Sequence, residues 1–189
     1  MKRAFIINAF LLGIGLAMDA FSVSVANGLE DPKMKNRRMI FIALVFGLFQ
    51  MAMPLIGWFF VHKLAEQFAL FEKSVPYIAL VLLLYIGGKM IYESFQHKES
   101  EEAIGIGDIL IQGIATSIDA LSVGFTIAHL SFANALYEAA IIGIVTFIIC
   151  IFGVIIGKAG GSKLSDKAGI IGGIVLILVG IRIFVSGVM

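Results

Sequence analysis

Long apolar runs dominate the chain, at roughly 4–26, 39–61, 75–95, 107–130, 135–157 and 167–188, separated by short stretches that hold most of the charges. Each run approaches the roughly 20 residues that an α-helix needs to cross a hydrocarbon core. The pattern predicts an all-α membrane protein with six transmembrane helices and leaves no length for a separate soluble domain. Lys2 and Arg3, ahead of the first run, imitate the start of a secretory signal. That run, however, continues through Asp19 to Ala26 and has a counterpart later in the chain, so it reads as a retained helix.

The connections differ in their basic residues. The first carries Lys33, Lys35, Arg37 and Arg38 and the fifth Lys158, Lys163 and Lys167, whereas the second has Lys63 and Lys73 and the fourth has none. The excess places the first, third and fifth connections in the cytoplasm and both termini outside, with Lys2 and Arg3 a weaker signal in the other direction. Residues 98–106 read as an acidic, solvated cytoplasmic linker.

The chain repeats itself. Ala17-Met18-Asp19-Ala20-Phe21-Ser22-Val23 in the first run recurs as Ser117-Ile118-Asp119-Ala120-Leu121-Ser122-Val123 in the fourth. Gly47 to Gly57 has the spacing of Gly143 to Gly153, and Gly87-Gly88-Lys89 resembles Gly180-Ile181-Arg182. The chain therefore divides into residues 1–97 and residues 107–189, each with three spans. Three is odd, so the second half must enter the membrane from the opposite side, giving two inverted three-helix repeats, an arrangement common among transporters with a site near the midplane.

Composition narrows the function. With 60% of residues hydrophobic and 14% charged, the chain lies far from soluble domains, and the lipid bilayer is its surrounding. A net charge of +1 offers no field for nucleic acid. Cys150, alone in an apolar run, excludes a disulfide framework. There is no phosphate-binding loop pattern, so energy would come from an ion gradient or potential, and no catalytic residue or cofactor is called for. Self-association into a homo-oligomer is compatible with the pattern.

Asp19 and Asp119 each fall near the middle of a run, where an ionised carboxylate costs roughly 2.5–3.5 kcal/mol. Lys89 and Arg182 sit nearer the ends of their runs, which leaves protonation, a shared hydrogen bond or a bound cation as the compensation. Helical spacing puts Gly15, Asp19, Ser22 and Ala26 on one face, and Ala115, Asp119, Ser122 and Thr126 on the matching one. Pro54 cannot donate to the carbonyl of Gln50, so Gln50 adds a third source of oxygen; its counterpart by glycine spacing is Thr146. The candidate metal ligands are thus Asp19, Asp119, Ser22, Ser122 and Gln50. Such oxygens suit hard divalent ions such as Mg²⁺, Ca²⁺ or Mn²⁺, and His62, His97 and His129 do not cluster as zinc or copper ligands would. The residues themselves point to a hard divalent cation or to protons.

Ala17-Met18-Asp19-Ala20-Phe21-Ser22-Val23-Ser24, Phe46-Gly47 with Gln50, Met53-Pro54-Leu55-Ile56-Gly57-Trp58, Gly87-Gly88-Lys89-Met90-Ile91 and the stretch from Ala115 to Gly124 together resemble the bacterial manganese efflux pump family, MntP, within the wider LysE-like exporter group. The resemblance covers nearly the whole chain. It implies a six-helix bacterial inner-membrane secondary transporter exporting Mn²⁺, with Mn²⁺ as transported substrate and Asp19 and Asp119 as the motif acids. Relatives in the wider group export amino acids or other metals, so export of an amino acid or of another divalent ion such as Cd²⁺ is the alternative. Two further classes are an intramembrane aspartyl protease, for which the Gly-x-Gly-Asp context is missing, and a purely structural scaffold.

Overall fold

The computed structural model describes residues 2–95, 105–164 and 168–188. The linker assigned to 98–106 therefore falls almost wholly outside the described residues. Every regular element is helical: α1 (Lys2–Glu30), α2 (Asn36–Phe95), α3 (Ile106–Thr116), α4 (Ile118–Thr126), α5 (Phe132–Leu164) and α6 (Ala168–Val188). Among the described residues, Phe5–Glu30, Asn36–Val61 and Phe132–Gly160 are each long and apolar enough to cross a membrane. Ile106–Gly124 makes a fourth crossing if its two bent pieces count as one, and Ile170–Arg182 is a shorter apolar stretch. The chain is a multi-pass membrane protein.

Two departures from the expected spans stand out. The break foreseen between the second and third runs is absent from the backbone, because α2 stays helical through 60 residues. It cannot be straight. Gly57 lies against Leu121 and Gly124, while Lys89 is ion-paired with Asp108. On a straight helix positions 57 and 89 would be about 48 Å apart, yet positions 108 and 121 are separated by only about 20 Å along α3 and α4. The reach of a Lys–Asp pair does not close that gap, so α2 bends back between its two halves. The second departure is in the expected 107–130 span, which is broken at Ser117 with a 42° bend.

Glycine contacts define the directions of the helices. Val45 and Phe49 face Gly113, and Pro54 and Gly57 face Gly124, so the first half of α2 runs parallel to α3 and α4. Gly13 faces Ile142 and Gly28 faces Val154 and Gly157, so α1 runs parallel to α5. Gly47 meets Phe147 while Gly143 meets Met51, which makes α2 and α5 antiparallel where they cross. The second half of α2 is antiparallel to α6: Gly87 meets Gly173 and Leu83 meets Gly180.

These contacts recur at the intervals of the sequence motifs. A Cβ on Gly57 would strike Leu121 and Gly124; one on Gly153 would come within 3.0 Å of the Phe21 carbonyl and 2.9 Å of Ser24. The partners are the same positions 96 residues apart in α2 and α5 and 100 residues apart in α1 and α4. Gly47 and Gly143, also 96 apart, meet each other. Small residues let these backbones touch, and in lipid such contact must come from packing rather than from water exclusion.

Burial is inverted relative to a soluble protein. Phe10, Leu11, Leu48, Ile144, Phe152 and Leu178 are exposed, as side chains facing hydrocarbon should be, while Asn27, Gln50, Gln112 and Thr146 are fully buried. Gly57→Ala is expected to lower thermal stability in detergent by about 1–3 kcal/mol, because its Cβ meets backbone that cannot yield. Gly88→Ala, which opens onto free space, should stay within about 0.5 kcal/mol of wild type. Melting followed by size-exclusion chromatography checks both.

Candidate metal site

Asp19 lies two-thirds of the way along α1, and its backbone is ordinary helix. Asp119 is placed differently, in the first turn of α4, immediately after the break at Ser117. Two hydroxyls make that break tolerable in an apolar setting. Ser117 Oγ donates to the Gly113 carbonyl at 2.7 Å, and Thr116 Oγ1 donates to the Gln112 carbonyl at 2.8 Å, so carbonyls exposed at the bend find partners. The start of α4 presents its free amides toward the Asp119 carboxylate, and Ala120 N donates to Oδ1 at 2.8 Å. A carboxylate at a helix N-terminus is favoured by the backbone dipoles there.

Gln50 ties the two acid-bearing segments together. Its Nε2 donates to the Leu16 carbonyl at 3.2 Å and to the Thr116 carbonyl at 3.0 Å. These carbonyls are each three residues before an aspartate, and they correspond in the repeat. The sequence pointed to the backbone carbonyl of Gln50; the structure engages its amide nitrogen, and leaves Oε1 buried without a partner. The Thr146 hydroxyl, at the matching position of α5, is buried and unpartnered too. An unpartnered buried polar atom costs about 1–3 kcal/mol, so two of them at matching positions of α2 and α5 need a physical reason.

The aspartates are near enough that Asp119 feels the charges of both Asp19 and Arg182. Arg182 is the largest correction to the sequence reading. Placed near a helix end by sequence, it reaches back from α6 and donates from Nη1 to Asp19 Oδ1 at 2.7 Å. Lys89 instead pairs with Asp108 at 3.3 Å. Ser22 Oγ donates to the Met18 carbonyl at 2.9 Å, which leaves its lone pairs available, and Ser122 is exposed. The expected uniform small faces are only partly buried, since Gly15, Ser122 and Thr126 are exposed. Among the described residues, no three His, Cys, Asp or Glu side chains group together. A cation held here would have two carboxylates and would need neutral oxygens to complete its shell.

The two ends of the α1–α3/α4 contact differ. Asn27 Nδ2 donates to Gln112 Oε1 at 2.7 Å, both side chains being fully buried, with Asn27 Oδ1 and Gln112 Nε2 left unpartnered. The positions one hundred residues away, Ile127 and Leu12, belong to an apolar cluster with Leu16, Val123, Trp58 and Leu130. Sequence reading missed Asn27 and Gln112, although an amide was visible at the end of the first apolar run and another inside the fourth. It missed Glu138 as well, a nearly buried acid in α5.

The profile of a family described as "Putative manganese efflux pump", Mntp, matches residues 33–184. The chain belongs to the MntP family. Among curated relatives, a Clostridium botulinum protein named "Putative manganese efflux pump MntP 2" is 42% identical, covering 96% of this chain and 94% of its own length. A Ruminiclostridium cellulolyticum MntP is 40% identical over 93% of each chain, and a Clostridium perfringens MntP 38% identical over 96% and 94%. No solved structure matches the chain. MntP proteins are described as transporters, and nothing in this membership calls for an enzyme.

Gln50→Met should lower the thermal midpoint in metal-free detergent, corresponding to a loss of about 1–3 kcal/mol, because it strips the Leu16 and Thr116 carbonyls of a donor. Thr146→Val removes a hydroxyl that has no partner and should be neutral or stabilising in the same assay.

Proposed function

We propose that the chain is a secondary transporter that exports Mn²⁺ through a midplane site formed by Asp19 and Asp119, with Gln50, Ser22 and Ser122 as neutral oxygen donors. The observation that carries this is the Gln50 crossbar, which joins the carbonyls one turn before each aspartate and so holds two acids from distant parts of the chain at one crossing. Two carboxylates in hydrocarbon call for positive charge, and the unpartnered Oε1 of Gln50, whose amide spans the two acid-bearing segments, is a hard neutral oxygen. The names of the relatives supply manganese as the ion.

The architecture that suits this role is six spans in two inverted repeats, residues 1–97 and 107–189, joined by a cytoplasmic linker at 98–106. The recurrence of glycine contacts at intervals of 96 and 100 supports it, as do the bend in α2 and the helix directions. Lys158 Nζ donates to the Met34 carbonyl at 2.5 Å and Trp58 Nε1 to the Leu130 carbonyl at 3.1 Å. The first contact joins the first and fifth connections on one side, and the second joins the end of the second span to the fourth connection. With the basic residues inside, the first pair is cytoplasmic and the termini lie outside a bacterial inner membrane.

Transport then needs each end of the contact of α1 with α3 and α4 to open in turn. The cytoplasmic end is closed by the Asn27–Gln112 hydrogen bond and the outer end by apolar packing around Leu12 and Ile127. The amide pair is a closure suited to opening, since water can satisfy the atoms it leaves unpartnered. Mn²⁺ reaching the acids exchanges part of its water for carboxylate and neutral oxygen, and leaves when the opposite end hydrates the site.

In an exporter-deficient bacterium, wild type is expected to lower cellular manganese, and Asp19→Asn or Asp119→Asn to leave it at the empty-vector level with equal membrane amounts, as read by elemental analysis. Two mutants with wild-type manganese content would overturn the proposal. Asn27→Leu combined with Gln112→Leu removes two buried unpartnered atoms, worth about 1–3 kcal/mol each, and should raise the melting midpoint while cutting the export rate roughly tenfold or more.

A further inference from the structure

We infer that Arg182 is a resident counter-charge that exchanges with the transported cation: its guanidinium occupies Asp19 when the site is unloaded and must withdraw when a divalent ion binds. This rests on the reading of Asp19 and Asp119 as the cation site and adds the residue that sets affinity against turnover there.

The argument starts from charge. Asp19 and Asp119 bring two negative charges to one crossing, and Arg182 offsets one of them through a 2.7 Å contact from Nη1 to Asp19 Oδ1. A divalent ion offsets both. With the guanidinium still in place the centre would carry excess positive charge in a medium of low polarisability, where like charges repel strongly. Guanidinium and divalent ion therefore compete for Asp19.

The geometry suits exchange. The Asp19 side chain is 11% exposed, whereas that of Arg182 is 61% exposed, so the carboxylate is fixed in the bundle and the guanidinium reaches it from the open side of α6. Asp19 comes from an uninterrupted stretch of α1, and its partner arrives on a long side chain able to swing away without a helix moving. Asp119 is held otherwise, by the Ala120 amide, which stays in place whether or not a cation is present. The second half of α2 carries the sequence counterpart of Arg182, Lys89, and it is engaged with Asp108, eleven residues before Asp119. The counter-charge thus pairs directly with Asp19, which makes that acid the ligand contested on every cycle.

Competition has a kinetic signature that a structural ion pair lacks. Removing the competitor strengthens cation binding and slows release, because nothing returns to Asp19 to displace the ion. The test is Mn²⁺ uptake into proteoliposomes of the full chain, comparing wild type, Arg182→Gln, Arg182→Lys and Asp119→Asn, with Lys89→Gln as a charge-matched control. Arg182→Gln is expected to lower both the half-saturating Mn²⁺ concentration and the maximal rate about tenfold. Arg182→Lys, a shorter and single-point cation, should fall between it and wild type in both, and Lys89→Gln should match wild type. An Arg182→Gln protein with unchanged or raised half-saturation overturns the inference. So does a pattern in which Gln and Lys variants lose rate equally with no gain in affinity, which is what a purely structural pair would give. Should Arg182→Gln fail to fold, the Lys variant decides alone, and wild-type half-saturation in it overturns the exchange. Failure of the underlying reading looks different: wild type carries no Mn²⁺, or Asp119→Asn carries it undiminished, and the inference falls with it.

Discussion

Two carboxylates facing one crossing in an apolar bundle constrain nearly everything else in this protein. Each costs several kcal/mol in hydrocarbon, and the surrounding features reduce or share that cost. Asp119 lies in the first turn of α4, where the Ala120 amide meets its carboxylate; Gln50 fixes the carbonyls one turn before each acid; Arg182 covers Asp19. The glycine contacts belong to the same solution. They bring backbone against backbone, so that the polar side chains of α1, α2 and α4 meet rather than face lipid.

The helix break before Asp119 joins local structure to function. An unbroken helix at this depth would bond every amide to its own carbonyls and have none to offer an anion. Ser117 and Thr116 allow the interruption by capping the carbonyls behind it, and the new helix start then points at the place where charge must be held. Asymmetry enters here. Asp19 sits in continuous helix and is paired with an exposed guanidinium, whereas Asp119 carries its compensation in the backbone.

Much of this was legible from residues alone, for identifiable reasons. Charges inside apolar runs are conspicuous, and so is a motif repeated after one hundred residues; hence Asp19, Asp119 and the glycine spacings stand out in the sequence. Arg182 was not, because position along a run measures depth only for the backbone, and a long side chain on an antiparallel neighbour can return to mid-depth. The break at Ser117 escaped since hydropathy registers polarity, not which hydroxyl caps which carbonyl. The polar residues between the second and third runs read as a loop, yet α2 keeps helical backbone there and turns by bending. Gln50 was picked out for its carbonyl and matters through its amide.

The account stands on the paired acids holding a divalent ion directly, and manganese is its own reporter for that. Titrating purified wild type in lipid nanodiscs with Mn²⁺, and following the electron paramagnetic resonance of the free ion, should show loss of free signal through a single class of bound ion. Asp19→Asn combined with Asp119→Asn should leave the free-ion signal undiminished. Equal uptake of Mn²⁺ by wild type and by the folded double variant would contradict the account.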